Sequence, residues 1–262
     1  MEFEPFIVSS IVSKKIAEGA GAIVYDVKCG SGAFMKTREQ ARSLATRLVA
    51  TSRALGAKAT AFITDMSWPI GHAAGNALEV VEAWEVLRGA KVPGTRGLTL
   101  TLAAEMVRLA GAASSAGAAR AMVERALDGG QALERFQQMV RAQGGDPSAL
   151  EKGSLHPAPV VTDVLAERDG MLASCDSFAL GELVVGLGGG RRRKESAIDP
   201  RVGITIERAR GERVKRGDRI ARLHLAAPDA DAVRRAAACF VIAREAPPPL
   251  TPDLVLERSD GK

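Results

Sequence analysis

Ser10 and Lys14 stand four residues apart in Pro5–Glu18, where Ile7 and Ile11, and Val8 and Val12, recur at helical spacing. A hydroxyl and an ammonium one turn apart on one helix face can bind the edge of a planar heterocycle bearing carbonyl oxygens. Lys15 sits beside Lys14 but points elsewhere. Any Ser-x-x-x-Lys helix offers this pair, and most such faces are simply solvated. Asp26, at a strand end, could act in catalysis or only cap structure. Gly30-Ser31-Gly32 follows that strand, but a G-x-G alone is a weak phosphate cradle. The glycines and arginines from Gly188 to Arg193 could hold an anion, although a loop that closes a domain fits them better. His72, His156 and His224 are scattered without a second ligand at metal spacing and read as surface or loop residues. Trp68 and Trp84 read as packing residues.

The elements that must position these groups follow from periodicity and punctuation. Pro5 suits the first turn of the opening helix, and Gly19–Gly21 ends it. Ala22–Val27 is a β-branched run between glycines, which predicts a buried strand. Thr37 with Gln40 forms a capping-box pattern that opens a helix to about Leu55. Lys58–Thr64 predicts a second strand, and Asn76–Leu87 a helix capped by Asn76 with Glu79 placed for the reciprocal bond. Strand, helix, strand, helix in this order predicts an α/β domain with a mostly parallel sheet flanked by helices. Helical stretches follow at Leu98–Leu109, Ala116–Leu127 and Gln131–Ala142. Gly144–Pro159, rich in Gly, Pro, Ser and charge, predicts a boundary. Beyond it, strands at Val160–Leu165 and Gly170–Ala173, a helix at Phe178–Val185 and alternation over Arg201–Leu225 predict a smaller α+β domain with an antiparallel sheet. The expected divisions are residues 1–18 as an opening helix, 19–150 as the α/β domain and 151–262 as the second domain.

The chain has 262 residues, 46% hydrophobic and 26% charged, with a formal net charge of +5. Its basic residues are interleaved with acids, a pattern of solvated helix faces rather than of a nucleic-acid surface. No apolar run is long enough to span a bilayer, and Met1–Ser10 lacks the basic start and apolar stretch of a secretory leader. Cys29, Cys175 and Cys239 are odd in number and widely spaced, which fits reduced thiols in a cytoplasmic protein.

Three blocks carry a resemblance. They are Ile7-Val8-Ser9-Ser10-Ile11-Val12-Ser13-Lys14-Lys15, Asp26-Val27-Lys28-Cys29-Gly30-Ser31-Gly32-Ala33-Phe34-Met35, and Thr64-Asp65-Met66. With Pro69–Val80, Gly188-Gly189-Gly190-Arg191 and Ile198–Gly203, they resemble the pyrimidine-nucleoside (thymidine-type) phosphorylase family in order and spacing over essentially the whole chain. The segment Glu212–Asp218 is also similar to hairpins of biotinyl-type domains. It has no lysine at a tight turn flanked by methionines, which argues against a carrier function.

The phosphorylase resemblance implies roles residue by residue. Ser10 matches a serine that hydrogen-bonds the pyrimidine, and Lys14 a lysine at a ring carbonyl. Ile7 and Phe34 match apolar walls of the base. The carbonyls of Ile70 and Ala73 and the carboxylate of Glu82 match ligands of potassium in bacterial members. The implied co-substrate is inorganic phosphate, with no organic cofactor, and the implied assembly is a homodimer. The family's Lys-His-Ser segment and glycine-rich phosphate turn have no counterpart in these residues. They would precede the segment matched by Met1, and the opening helix would then be left over from an all-helical lobe. Three readings stay open: pyrimidine nucleoside phosphorolysis with this chain as the base-binding side, a non-catalytic remnant or regulatory subunit, and a nucleoside-monophosphate phosphorylase. The opening helix, short of packing partners, is expected to be mobile or adhesive.

Overall fold

A computed structural model describes residues 3–153, 155, 157–245, 247, 248 and 250–261. His156 lies outside the described residues. In chain order the elements are α1 (Glu4–Ala17), β1 (Ala22–Cys29), α2 (Arg38–Ala54), β2 (Lys58–Asp65), β3 (Ala73–Ala74), α3 (Asn76–Leu87), α4 (Thr95–Leu109), α5 (Ala116–Asp128), α6 (Gln131–Ala142) and α7 (Ser148–Glu151). They continue with β4 (Val160–Leu165), β5 (Gly170–Cys175), α8 (Ser177–Val184), β6 (Gly203–Ile206), β7 (Arg213–Val214), β8 (Arg219–Leu225), α9 (Ala230–Ala238), β9 (Phe240–Ala243) and β10 (Val255–Ser259). None of the helices among the described residues is long and apolar enough to cross a membrane.

The chain forms two compact units: residues 1–66, 93–126 and 250–262 make the first, and residues 67–92 and 127–249 the second. The glycine- and proline-rich stretch at 144–159, expected as a boundary, therefore lies inside the second unit. Local punctuation marks where the chain turns, but compact units are set by strand pairing between distant segments.

In the first unit β1 and β2 pair in parallel, from Ala22 opposite Lys58 to Cys29 opposite Asp65. β10 adds antiparallel to the other side of β2, giving the order β1-β2-β10 with β1 at an edge. The parallel α/β pairing is as the β-branched runs predict. The antiparallel strand from the far end of the chain is not foreseen by them. Ile23, Tyr25, Val27 and Cys29 alternate into a core shared with Ala41, Leu44, Ala45, Leu48 and Val49 of α2. The capping box at the start of α2 is realised: Gln40 N–H donates to Thr37 Oγ1, and Thr37 N–H to Gln40 Oε1.

α1 packs on this core instead of lying free. Val8 and Val12 are buried, and Ile7 and Ile11 pack partly against the same cluster. Glu4 accepts from Ser43 Oγ at 3.0 Å and pairs with Arg47 at 2.9 Å, both on α2. α2 supplies the covering surface, while Phe3 and Phe6 remain exposed.

The second unit holds two antiparallel sheets, β3-β6-β8-β4 and β7-β5-β9. Leu172, Leu180, Leu183, Ile204, Ile220, Leu223 and Leu225 are fully buried in it. Trp68 meets Phe240 edge-on and Trp84 is tilted against Phe136, so both tryptophans pack as expected. The α3 cap differs from expectation. Gly75 is the N-cap, Asn76 is already helical and donates from Nδ2 to Gly189 O at 3.0 Å, and Glu79 accepts from Gly75 N–H. Gly75 has φ +143°, and a Cβ there would meet Val202 O at 2.6 Å, so the position excludes side chains.

The glycine-arginine loop is braced by its own backbone and by Asp199. A π-turn over Val185–Gly189 contains Gly188 at φ +103°. Asp199 N–H donates to Gly188 O, and Arg201 holds Asp199 through Nε and Nη2.

Candidate active site

At 100° per residue, Ile7, Ser10, Ile11 and Lys14 fall within an arc of about 100° on α1. Val8 and Val12 fall on the next quadrant and are buried, so core packing orients the helix and turns Ser10 and Lys14 outward, with Ile7 and Ile11 half-buried between them. Ile7 and Ile11 line a groove of about 460 Å³. Phe34, Met35, Leu44, Leu48 and residues 25–28 of the β1 edge complete it. Ser10 and Lys14 are exposed beside these two isoleucines, and among the described residues neither side chain has a hydrogen-bond or ion-pair partner. Lys15, on a different line of the helix, is paired with Glu18 at 2.7 Å.

Phe34 is presented by a compact loop. Gly30 N–H donates to Met35 O at 3.0 Å, Ala33 N–H to Gly30 O, and Gly32 N–H to Met66 O at 2.9 Å. Met66 N–H closes the set onto Cys29 O at 2.7 Å. These bonds tie the loop to the C-terminal ends of two parallel strands, the region where open α/β sheets bind ligands. Phe34 is 75% exposed at the edge of the groove.

Of the four residues expected at the base, the structure gathers Ile7 and Phe34 around one groove and sets Ser10 and Lys14 on the adjoining helix face. It adds two polar groups. Asp26 and Lys28 border the groove along the β1 edge, but strand alternation turns their side chains to the sheet face away from α2, where Lys28 Nζ donates to Asp26 Oδ2 at 2.6 Å and to Thr64 Oγ1 at 3.2 Å. The Thr64 hydroxyl donates to Asp26 Oδ1, and Thr64 is fully buried. Asp26 was visible in the sequence as a strand-end acid, whereas Lys28 gains meaning only through the cross-strand register that sets it opposite Thr64.

In the second unit, Glu82 Oε2 accepts from the amides of His72 at 2.5 Å and Ala73 at 2.9 Å. The carboxylate is thus fixed on the 70–73 loop, beside the backbone that carries the Ile70 and Ala73 carbonyls. These are hard oxygen donors of the kind an alkali or alkaline-earth cation takes. Among the described residues no group of three or more His, Cys, Asp or Glu side chains gathers as a metal site.

The three cysteines are buried free thiols. Burial, with Cys239 and Asp176 nearby, pushes the Cys175 thiol up to about 12. This leaves it almost without thiolate and unsuited to nucleophilic work.

Two family models match along the chain. The Glycosyl transferase family, a/b domain, matches residues 5–133, and the Pyrimidine nucleoside phosphorylase C-terminal domain matches residues 171–243. A thymidine phosphorylase of Sinorhizobium medicae (strain WSM419) is 43% identical over 249 residues, 93% of this chain and 57% of the relative. One from Agrobacterium fabrum (strain C58 / ATCC 33970) is 45% identical over the same shares. A pyrimidine-nucleoside phosphorylase of Geobacillus stearothermophilus is 42% identical over 232 residues, 88% of this chain and 54% of the relative. The chain spans little more than half the length of these relatives. With both matched domains in family order, it belongs to the pyrimidine-nucleoside phosphorylase family.

Proposed function

We propose that this chain serves phosphorolysis of pyrimidine nucleosides and supplies the side of the site that holds the base. In that reaction phosphate forms a bond to C1′ of the pentose as the C1′–N1 bond breaks, and the bonding pair leaves with the pyrimidine. Negative charge then spreads over the ring nitrogens and the two carbonyls. Ser10 and Lys14 lie where a hydroxyl and an ammonium can meet that edge, and their stabilisation grows as the charge develops. Ile7 and Phe34 provide apolar faces for the ring. Phosphate is the nucleophile, so no side chain need form a covalent intermediate. The groups expected to hold phosphate, the Lys-His-Ser segment and glycine-rich turn, have no match in the 262 residues. A homodimer in the cytoplasm belongs to the same reading. So does potassium, held by the Ile70 and Ala73 carbonyls and Glu82, where a bound cation would supply rigidity and positive charge.

The observation that carries the reading is the unpartnered Ser10–Lys14 pair on the helix face whose Ile7 lines the groove with Phe34. Titration of the chain with thymine and uracil, followed by ligand-observed NMR, tests it. Lys14→Ala is expected to weaken binding roughly tenfold or more, the worth of one hydrogen bond to a charged donor, and Lys15→Ala to leave it unchanged. Equal effects at the two lysines would sink the assignment. Incubated with thymidine and phosphate, the 262-residue chain is expected to release base far more slowly than the enzyme median of about ten per second. Turnover at that rate would show that phosphate is held by residues within this chain.

A further inference from the structure

β1 ends the sheet of the first unit and has β2 as its sole strand neighbour among the described residues. Gly21 O accepts from Lys58 N–H at 3.0 Å and Cys29 O from Met66 N–H at 2.7 Å, both across the β1–β2 junction. In a parallel pair alternate residues direct both backbone groups to the neighbour, so the odd-numbered residues of β1 serve β2. Ala22, Val24, Asp26 and Lys28 turn their N–H and C=O groups the other way, off the sheet. The next outward group, Gly30 N–H, is taken by Met35 O, which closes the edge at that end. The open stretch is therefore residues 22–28. Edge strands are ordinarily blunted by proline, a bulge, shortness or a lysine projecting over the edge. β1 has eight residues, no proline and an unbroken register with β2, and Lys28 is drawn onto Asp26 and Thr64. Beside this edge lies the groove of about 460 Å³, walled by Ile7, Ile11, Leu44 and Leu48.

We propose that the β1 edge is a docking surface for a further β-strand, an extended segment with apolar side chains at alternate positions. The inference goes beyond the base-binding reading and does not depend on it. An N–H and a C=O offered at every second residue are the template that an added strand pairs with, residue for residue. The side chains on either side of the edge set the pattern of the occupant. Alternate side chains of the added strand fall on the α2 side of the sheet, where Ile7, Ile11, Leu44 and Leu48 favour apolar residues. The others fall on the side of Asp26 and Lys28, where polar residues suit. The relatives match this chain over only 57% and 54% of their own length, so each carries a further stretch of polypeptide with no counterpart in the 262 residues. A strand of that stretch is the occupant. Docked at residues 22–28, it extends the sheet past β1 and sets the rest of the stretch beside the groove.

The test titrates the 262-residue chain with overlapping peptides that cover the unmatched part of the Sinorhizobium medicae relative, and reads amide hydrogen exchange by NMR. In the free chain the amides of Ala22, Val24, Asp26 and Lys28 should exchange fast and those of Ile23, Tyr25 and Val27 slowly. One segment, with apolar residues at alternate positions, is expected to bind and to slow exchange at the four even-numbered amides. Val24→Pro removes an outward N–H without touching a β1–β2 bond. It should weaken binding roughly tenfold or more, through the lost hydrogen bond and the overlap of the ring with the added strand. If Val24→Pro does not fold, as judged by circular dichroism, Ala22→Pro carries the comparison at the first residue of the strand, where proline is tolerated. Failure of every peptide to protect the even-numbered amides overturns the proposal, and so does binding that the proline variant leaves undiminished. Protection that rises with the concentration of the chain alone would make the occupant a second copy, which also overturns it. The base-binding reading stands or falls separately, on whether Lys14→Ala weakens thymine.

Discussion

Single residues show most directly what a sequence can and cannot disclose. Ser10 and Lys14 were legible because helical spacing alone sets them on one face. Ile7 and Phe34 were legible through the resemblance of their flanking blocks. Lys28 was not, since its role depends on Thr64, 36 residues away, and on the parallel register that joins them. His224 is a second residue whose behaviour only the fold decides. Its ring shares a 3.1 Å hydrogen bond with Thr205, and burial, with Arg222 as the lesser cause, holds its pKa below the usual histidine value. The unfolded chain therefore binds this proton more readily than the folded one. Stability contributed by neutral His224 is present above the unfolded value of about 6.5 and declines as pH falls below it. Denaturant titrations from pH 7.5 to 5 should show falling stability, with a shallower fall for His224→Gln. Identical slopes for the two proteins would remove His224 as the cause.

The secondary-structure elements were legible where local chemistry specifies them. The Thr37–Gln40 box, the run Ala22–Val27 and the stretch Gln131–Ala142 are each marked within a few residues. α9 carried a comparable signal, with Asp229 capping Ala232 N–H and an alanine-rich run behind it, and could have been read the same way. β10 carried none, because five residues with weak alternation become a strand only against β2. The fate of α1 also turns on packing. An isolated helix of 14 residues is marginal in water, and burial of Val8 and Val12 on α2 is what holds this one. Val12 is 1% exposed, so Val12→Ala removes two buried methyl equivalents and should cost about 2 kcal/mol. Hydrogen exchange should then quicken through Ile11–Lys15 before it changes in β1. Slow exchange maintained in α1 of the variant would mean that contacts other than the valines hold the helix.

At the scale of the molecule, the first unit is assembled from three separated stretches, and its last one comes from the end of the chain. The 250–261 segment does more than cover an edge. β10 pairs with β2 from Val255 opposite Thr64 to Ser259 opposite Ala61, directly beside the strand that carries Thr64 of the polar cluster. Arg258 joins Arg108 on the buried carboxylate of Glu105, Arg42 grips Glu257 through two nitrogens, and Thr60 donates to Asp260. Gly97 of α4 lies against the Pro252 backbone so closely that a Cβ there would overlap the carbonyl oxygen, with Asp253 Cα at 3.1 Å. The sequence shows Gly97 only as a residue that weakens a helix, yet the close approach of this segment explains why glycine is kept. Gly97→Ala should therefore reverse the usual helix-propensity order. The gain of somewhat under 1 kcal/mol expected for alanine over glycine in an exposed helix is outweighed by overlap with fixed backbone, typically 1–3 kcal/mol. Thermal unfolding should fall by several degrees, and amide protection should drop in β2 and β10 while β4 and β8 of the second unit keep theirs. A Gly97→Ala protein as stable as the parent would show that the 250–261 segment yields without cost and does not brace the strand beneath the site.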